Sequence, residues 1–154
     1  DIDGIDVVGG RGALRAWLDV RRGEVAGGTA DVALADVEAA LGAGLEPLAL
    51  AAVAGRVGGR GLDGGFEAST QGLQFRTRDG LRWPGGNATV RVTGRDPAAP
   101  EREQGELRAD RLDLAALSQI ASRLPLGAPL HAALGRYGPR GIVQEVQAGW
   151  RGPV

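Results

Sequence analysis

Few residues in this chain are of a type that does chemistry, and their spacing leaves each of them isolated. The single histidine, His131, would need a nucleophile or carboxylate partner to act as a general base. A lone imidazole beside an apolar helical stripe serves packing instead. Cysteine is absent and there is no second histidine, so neither a thiolate nor a histidine metal site can be assembled. Asp110 and Asp113 stand three residues apart where a strand gives way to a helix. That spacing suits a cation or, more simply, a helix cap and a hinge hydrogen bond. Lysine is missing altogether, which removes the phosphate-binding loop Gly-x-x-x-x-Gly-Lys-[Ser/Thr]. Asn87-Ala88-Thr89 fits a glycosylation acceptor, a motif of little specificity. Gly-Gly-Arg-Gly occurs at Gly9–Gly12 and Gly58–Gly61; an RNA-binding use is outweighed by that of turn glycines. No catalytic constellation emerges, so the chain is expected to be no enzyme and to hold no cofactor or metal.

At 154 residues the chain fits one domain or a piece of a larger one. All 18 basic residues are arginine and the net charge is −1, which argues against nucleic acid as a partner. No apolar run reaches the roughly 18 residues that a membrane-spanning helix needs. Without methionine the sequence reads as a fragment or a processed product. Any anchor or export signal is then expected outside it.

The elements that must position these residues are mostly strands. Leu14, Ala16, Leu18 and Val20 alternate with Arg15, Trp17, Asp19 and Arg21, the period-two pattern of a half-buried strand. Arg22-Gly23 predicts a turn, followed by a strand through Ala30, Val32 and Leu34. A third strand is predicted from Leu48 to Val57. Asp63-Gly64, Asp79-Gly80 and Pro84–Asn87 punctuate further strands through Phe66–Phe75 and Ala88–Val92. Arg95–Gln104 is a polar loop before a strand at Glu106–Asp110. Asp113 then caps a helical insert near Leu114–Leu124, which Pro125 ends. A short helix near Pro129–Tyr137 precedes a last strand, Ile142–Trp150, with Val146 and Ala148 in phase with Ile142. Short links favour antiparallel hairpins, giving a β-rich α+β fold whose sheet has one apolar and one polar face.

Three stretches carry a resemblance: "GALRAWLDVRRGEVAGGTADVALADVEAAL", "GFEASTQGLQFRTRDGLRWPGG" and "GELRADRLDLAALSQIASRLPL". Together they resemble the YhdP-type branch of the AsmA-like family, within the TamB/AsmA superfamily. The most specific parts are Asp79–Pro84 and Gly105–Leu114. The resemblance implies large envelope proteins of Gram-negative bacteria, anchored in the inner membrane by a helix outside this stretch, with a long periplasmic body. That body is a repeating β-groove: a strongly twisted antiparallel sheet curled into a groove with an apolar concave face. The implied activity is movement of phospholipid between inner and outer membranes, which supports the outer-membrane permeability barrier. On this basis residues 12–151 are one groove segment of a larger body, with linkers at 1–11 and 152–154.

The energetics suit such a role. Each acyl CH₂ resists water by about 0.8 kcal/mol, so roughly thirty of them cost on the order of 20 kcal/mol. A lipid slide therefore needs a continuous apolar wall. The groove-wall candidates are Leu18, Val32, Leu34, Phe66, Leu73, Phe75, Val90, Val92 and Leu107. Leu114, Leu117, Ile120 and Leu124 are the expected helical cover. Each of these side chains can equally be ordinary core. The expected partners are phospholipid, neighbouring groove segments of the same chain and envelope proteins. The competing function is a structural or assembly module of the envelope that acts by protein–protein contact along an open sheet edge.

Overall fold

The computed structural model describes residues 6–40, 44–96, 98–123 and 128–152. In chain order the strands are β1 (Asp6–Val8), β2 (Arg11–Arg21), β3 (Glu24–Ala40), β4 (Leu48–Leu62), β5 (Gly65–Thr77), β6 (Arg82–Trp83), β7 (Ala88–Thr93) and β8 (Gln104–Asp113). Helices α1 (Leu114–Ile120) and α2 (Ala128–Tyr137) follow, and β9 (Ile142–Arg151) closes the order. The nine strands form one sheet in the order β1-β3-β4-β5-β7-β8-β9, with β2 also paired to β3 and β6 to β5. Every pairing is antiparallel. The chain is thus mainly β: one open antiparallel sheet with few, short helices, an architecture consistent with a curled groove.

Local chemistry explains the hairpins. Arg22 and Gly23 take φ of 54° and 85°, the two left-handed residues that a primed turn needs to match the twist of its strands. Elsewhere the ladders run longer than side-chain alternation predicts. Gly58–Gly61, expected as a turn, lies inside β4 and pairs with β3 and β5. A ladder is made by backbone groups, so it continues where side chains stop signalling. β1 likewise pairs with the far end of β3.

The alternation also breaks where a core forms. Asp36 has φ 54°, and beyond it Val37 turns to the same side as Leu34. Val37, Leu48 and Leu50 make a buried cluster against which Leu34, Val53 and Phe75 pack. The helical insert is buried in its own right. Asp113 caps α1, its Oδ1 accepting from the Ala116 N–H at 2.9 Å. Ala116, Ile120 and Ala121 are buried.

The helix is shorter than expected: after Ile120 it tightens into a 3₁₀ turn, Ala121–Arg123. Leu124 and Pro125 lie outside the described residues. Arg123 does not serve the helix end alone; it reaches Asp79 at 3.3 Å and Glu46 at 3.9 Å. Ser122 Oγ donates to Glu46 at 3.0 Å. These contacts tie the insert to the entrance of β4 and the exit of β5. In α2, Leu134 is buried, while Tyr137 at its end is exposed.

Candidate functional site: the apolar side of the sheet

Directly opposed residues of neighbouring strands point to the same face, so the register defines the two sides. One row crosses the sheet as Ala16–Ala30–Val57–Thr70–Ala88–Ala109–Val146. The next runs Leu18–Gly28–Gly59–Ala68–Val90–Leu107–Ala148. Eight of these fourteen positions are alanine or glycine, and rows richer in aromatic side chains stand on both flanks. On one flank stands Leu34–Val53–Phe75–Trp83, on the other Phe66–Val92–Gly105–Trp150. These four rows contain no charged side chain.

The reverse side is its electrostatic opposite. Arg60, Glu67, Arg91 and Glu106 stand opposite one another across four strands. Glu67 holds Arg60 at 2.9 Å and Arg91 at 3.5 Å. Asp31 pairs with Arg56 at 2.6 Å, and that guanidinium also lies 5.8 Å from the Trp17 ring centroid. The neighbouring guanidiniums depress the carboxyls: Asp31 through its bond from Arg56, Glu67 through Arg60 and Glu106 through Arg108. Asp79 is lowered first by the Thr77 hydroxyl and then by Arg123. This ladder keeps the charges of β3 to β8 on one side of the sheet.

The residues expected to line a groove all stand on the apolar side, in different environments. Val32, Leu34, Phe66, Leu73, Phe75, Val90 and Leu107 are half-buried. Leu18 is 66% exposed and Val92 only 4%. Val92 stands opposite Gly105, over which the Trp150 indole lies. A Cβ on Gly105 would sit 2.0 Å from that ring. Of the expected cover, Ile120 is 2% exposed and Leu114 and Leu117 are half-buried.

Sequence reasoning missed two aromatic members of this side. Trp83 stacks on Phe75 with centroids 5.8 Å apart and planes 5° from parallel, and Trp150 closes over Gly105. Trp83 falls in a two-residue strand next to a proline, too short for periodicity to register. Trp150 is even-numbered like Val146, but Glu145 at φ 54° interrupts the alternation that was to carry the phase back to Ile142.

The polar candidates resolve into structural roles. Asp110 accepts from the Asn87 backbone at 2.8 Å and from its side-chain amide at 2.9 Å. The Asn87 Oδ1 accepts from the Gly72 N–H at 2.9 Å. This clamp joins β8, the β6–β7 connection and β5. His131 Nε2 lies 2.8 Å from the Ala121 carbonyl and links the two helical pieces. No cluster of three or more metal-ligating side chains occurs among the described residues.

Residues 2–154 match the family described as YhdP protein. This chain belongs to the YhdP family. No curated protein and no solved structure matches it. The YhdP family is an AsmA-like, non-enzymatic family of the bacterial envelope. No helix among the described residues is long and apolar enough to cross a membrane.

Proposed function

We propose that this chain is a segment of a periplasmic lipid-transfer conduit, in which phospholipid acyl chains lie along the apolar side of the open sheet. Movement of phospholipid between the two membranes of the envelope, with its effect on the outer-membrane barrier, is the activity that this segment serves. The observation that carries the reading is the sidedness. Two rows of uncharged side chains, more than half of them alanine or glycine, run across seven strands between flanking rows that are also uncharged, while ion pairs such as Asp31–Arg56 and Arg60–Glu67–Arg91 lie on the reverse. Seven strands about 4.8 Å apart give a lane of roughly 30 Å, about one hydrocarbon core in length. Transfer of a tail into that lane recovers part of the ~0.8 kcal/mol per CH₂ lost in water. Alanine and glycine make up much of that floor, which leaves room for the tail. That suits a slide better than a pocket. Neighbouring segments of the same chain extend the wall beyond one lane.

Native mass spectrometry of the purified chain tests this. Co-purifying phospholipid, lost in Val90→Asp and retained in Arg91→Asp with both variants folded, is the expected result. A lipid-free wild-type chain that also fails to take up phospholipid from vesicles contradicts it. Among the described residues β2 pairs with β3 alone, which favours a second reading, an assembly module acting by protein contact. In that case the chain stays lipid-free and captures a strand-bearing partner.

A further inference from the structure

We propose that Arg76 and Arg82 form a phosphate-binding fork on the reverse side of the sheet, which takes the phosphate of a lipid head-group or a free phosphate. The two residues stand directly opposite each other on β5 and β6, and both are exposed. Opposed residues share a face, with Cβ atoms about 4.5–5.5 Å apart, and like charges in that position destabilise a sheet. Neither arginine makes an ion pair among the described residues. The other arginines on the reverse side of β4, β7 and β8 do: Arg56 with Asp31, Arg60 and Arg91 with Glu67, and Arg108 with Glu106. Arg82 also belongs to the Asp79–Pro84 run. Asp79 and Trp83 of that run have protein partners, and Arg82 is left to the solvent.

The surrounding carboxylates are committed elsewhere. Along the row from Arg76 stand Ala52, Ala35 and then Arg11, which holds Asp36 at 2.5 Å. Glu38 faces Arg78 at 3.5 Å. Asp110 accepts from Asn87, and Asp79 from Thr77 and Arg123. The hairpin that carries the fork is fixed. The Thr77 N–H donates to the Leu81 carbonyl at 2.9 Å, and the Leu81 N–H to the Thr77 hydroxyl at 3.0 Å. On the apolar side the Phe75–Trp83 stack locks the neighbouring register pair. A site held this way loses less freedom when it closes on a ligand. Each guanidinium offers a planar set of N–H donors that fits phosphate bidentately. One tetrahedral anion between the two therefore relieves their repulsion and gains bonds from both. The fork faces away from the apolar lane, so a head-group bound there is not that of a lipid lying in the lane, and the site does not depend on what the lane carries.

Titration of the isotope-labelled chain with inorganic phosphate, and separately with dihexanoylphosphatidylglycerol below its micelle concentration, tests this at the arginine Nε–H resonances. Circular dichroism checks that each variant is folded. Saturable shifts at Arg76 and Arg82 are expected. Tighter binding of inorganic phosphate assigns the fork to free phosphate, and tighter binding of the phosphatidylglycerol assigns it to a head-group. Arg76→Gln and Arg82→Gln should each weaken binding about tenfold or more. Arg111→Gln, at an exposed position in phase with Ala109 on the apolar side, should leave it unchanged. In phosphate-free buffer Arg82→Gln should melt no lower than the wild type, because it removes a repulsion and no protein bond. The absence of a saturable shift with both probes overturns the proposal. So does equal weakening by Arg111→Gln, or a lower melting temperature of Arg82→Gln without phosphate.

Discussion

The same apolar side of one sheet is used in two ways. At the margin formed by the ends of β3, β4 and β5, Val37, Leu48, Leu50 and Thr77 are 6%, 6%, 8% and 1% exposed. There the insert is tied to Glu46 and Asp79, and the Thr77 hydroxyl is satisfied by Asp79 and the Leu81 N–H. A few residues along the same strands, Val53, Leu73 and Phe75 are only half-buried, as are Val90 and Leu107 on β7 and β8. Nothing in residue type separates the two regions; Leu, Val and Phe occur in both or could exchange. The difference is that at the margin the apolar side chains pack on one another and the insert is tied down beside them by Ser122 and Arg123. A covered margin gives the segment a core that makes it a stable body. The uncovered lane gives it an apolar surface that solvent does not favour and an acyl chain does.

Substitutions that break this comparison should be ranked by cover. Ile120→Asp puts an unpaired charge where a side chain is 2% exposed, and should cost about 4 kcal/mol or more of unfolding free energy. Leu18→Asp, at 66% exposure, should cost within about 0.5 kcal/mol. Urea titrations of the pair check this, and equal losses would mean that the two regions are not distinct. Leu50→Ala in the covered cluster should cost about 2–5 kcal/mol. Leu107→Ala in the lane should cost clearly less, by the same measurement.

Gly105→Ala sharpens the boundary of the lane. The added methyl has no room beneath Trp150, so the indole must swing out. Overpacking of this kind costs about 1–3 kcal/mol, and a changed tryptophan emission spectrum should accompany it. Asp113→Ala removes the cap of the cover and should cost about 1 kcal/mol in thermal unfolding.

The smallest effect belongs to the charged side. The carboxyls of Asp31, Glu67, Asp79 and Glu106 are lowered in the folded chain. Depressed carboxyls stabilise the fold above the ordinary carboxylate range, and the contribution disappears as pH falls through and below it. The melting temperature should therefore hold between about pH 8 and 6 and decline below about pH 4. Because these groups are exposed, salt at neutral pH should produce a similar, shallower decline.

Much of this was legible beforehand because it rests on local chemistry. Alternation placed β2 and β7, Arg22-Gly23 and Asp63-Gly64 placed turns, and Asp113 announced the cap. The family resemblance pointed to an open sheet. What stayed hidden depends on contacts distant in sequence or on single backbone angles. Gly58–Gly61 has no side chains to alternate, so only its pairing partners show that it is strand. Asp36 and Glu145 each take one left-handed angle, and after it parity no longer tells which way a side chain faces. For the lane, alternation sorted Leu18, Val32, Val90 and Leu107 to one side correctly. It did not tell that Val92 is buried or that Trp83 and Trp150 belong to the banks, because those facts come from what lies across the sheet.

The central claim is that acyl chains reach the uncovered lane and not the reverse side or the covered margin. Photo-crosslinking with a phospholipid that carries a photoreactive group in its tail measures this directly, with the adducts mapped by peptide mass spectrometry at Leu107, Arg108 and Leu50. Labelling at Leu107 alone is the predicted result. Equal labelling at Leu107 and Arg108, or none at Leu107 in a folded chain, would contradict it.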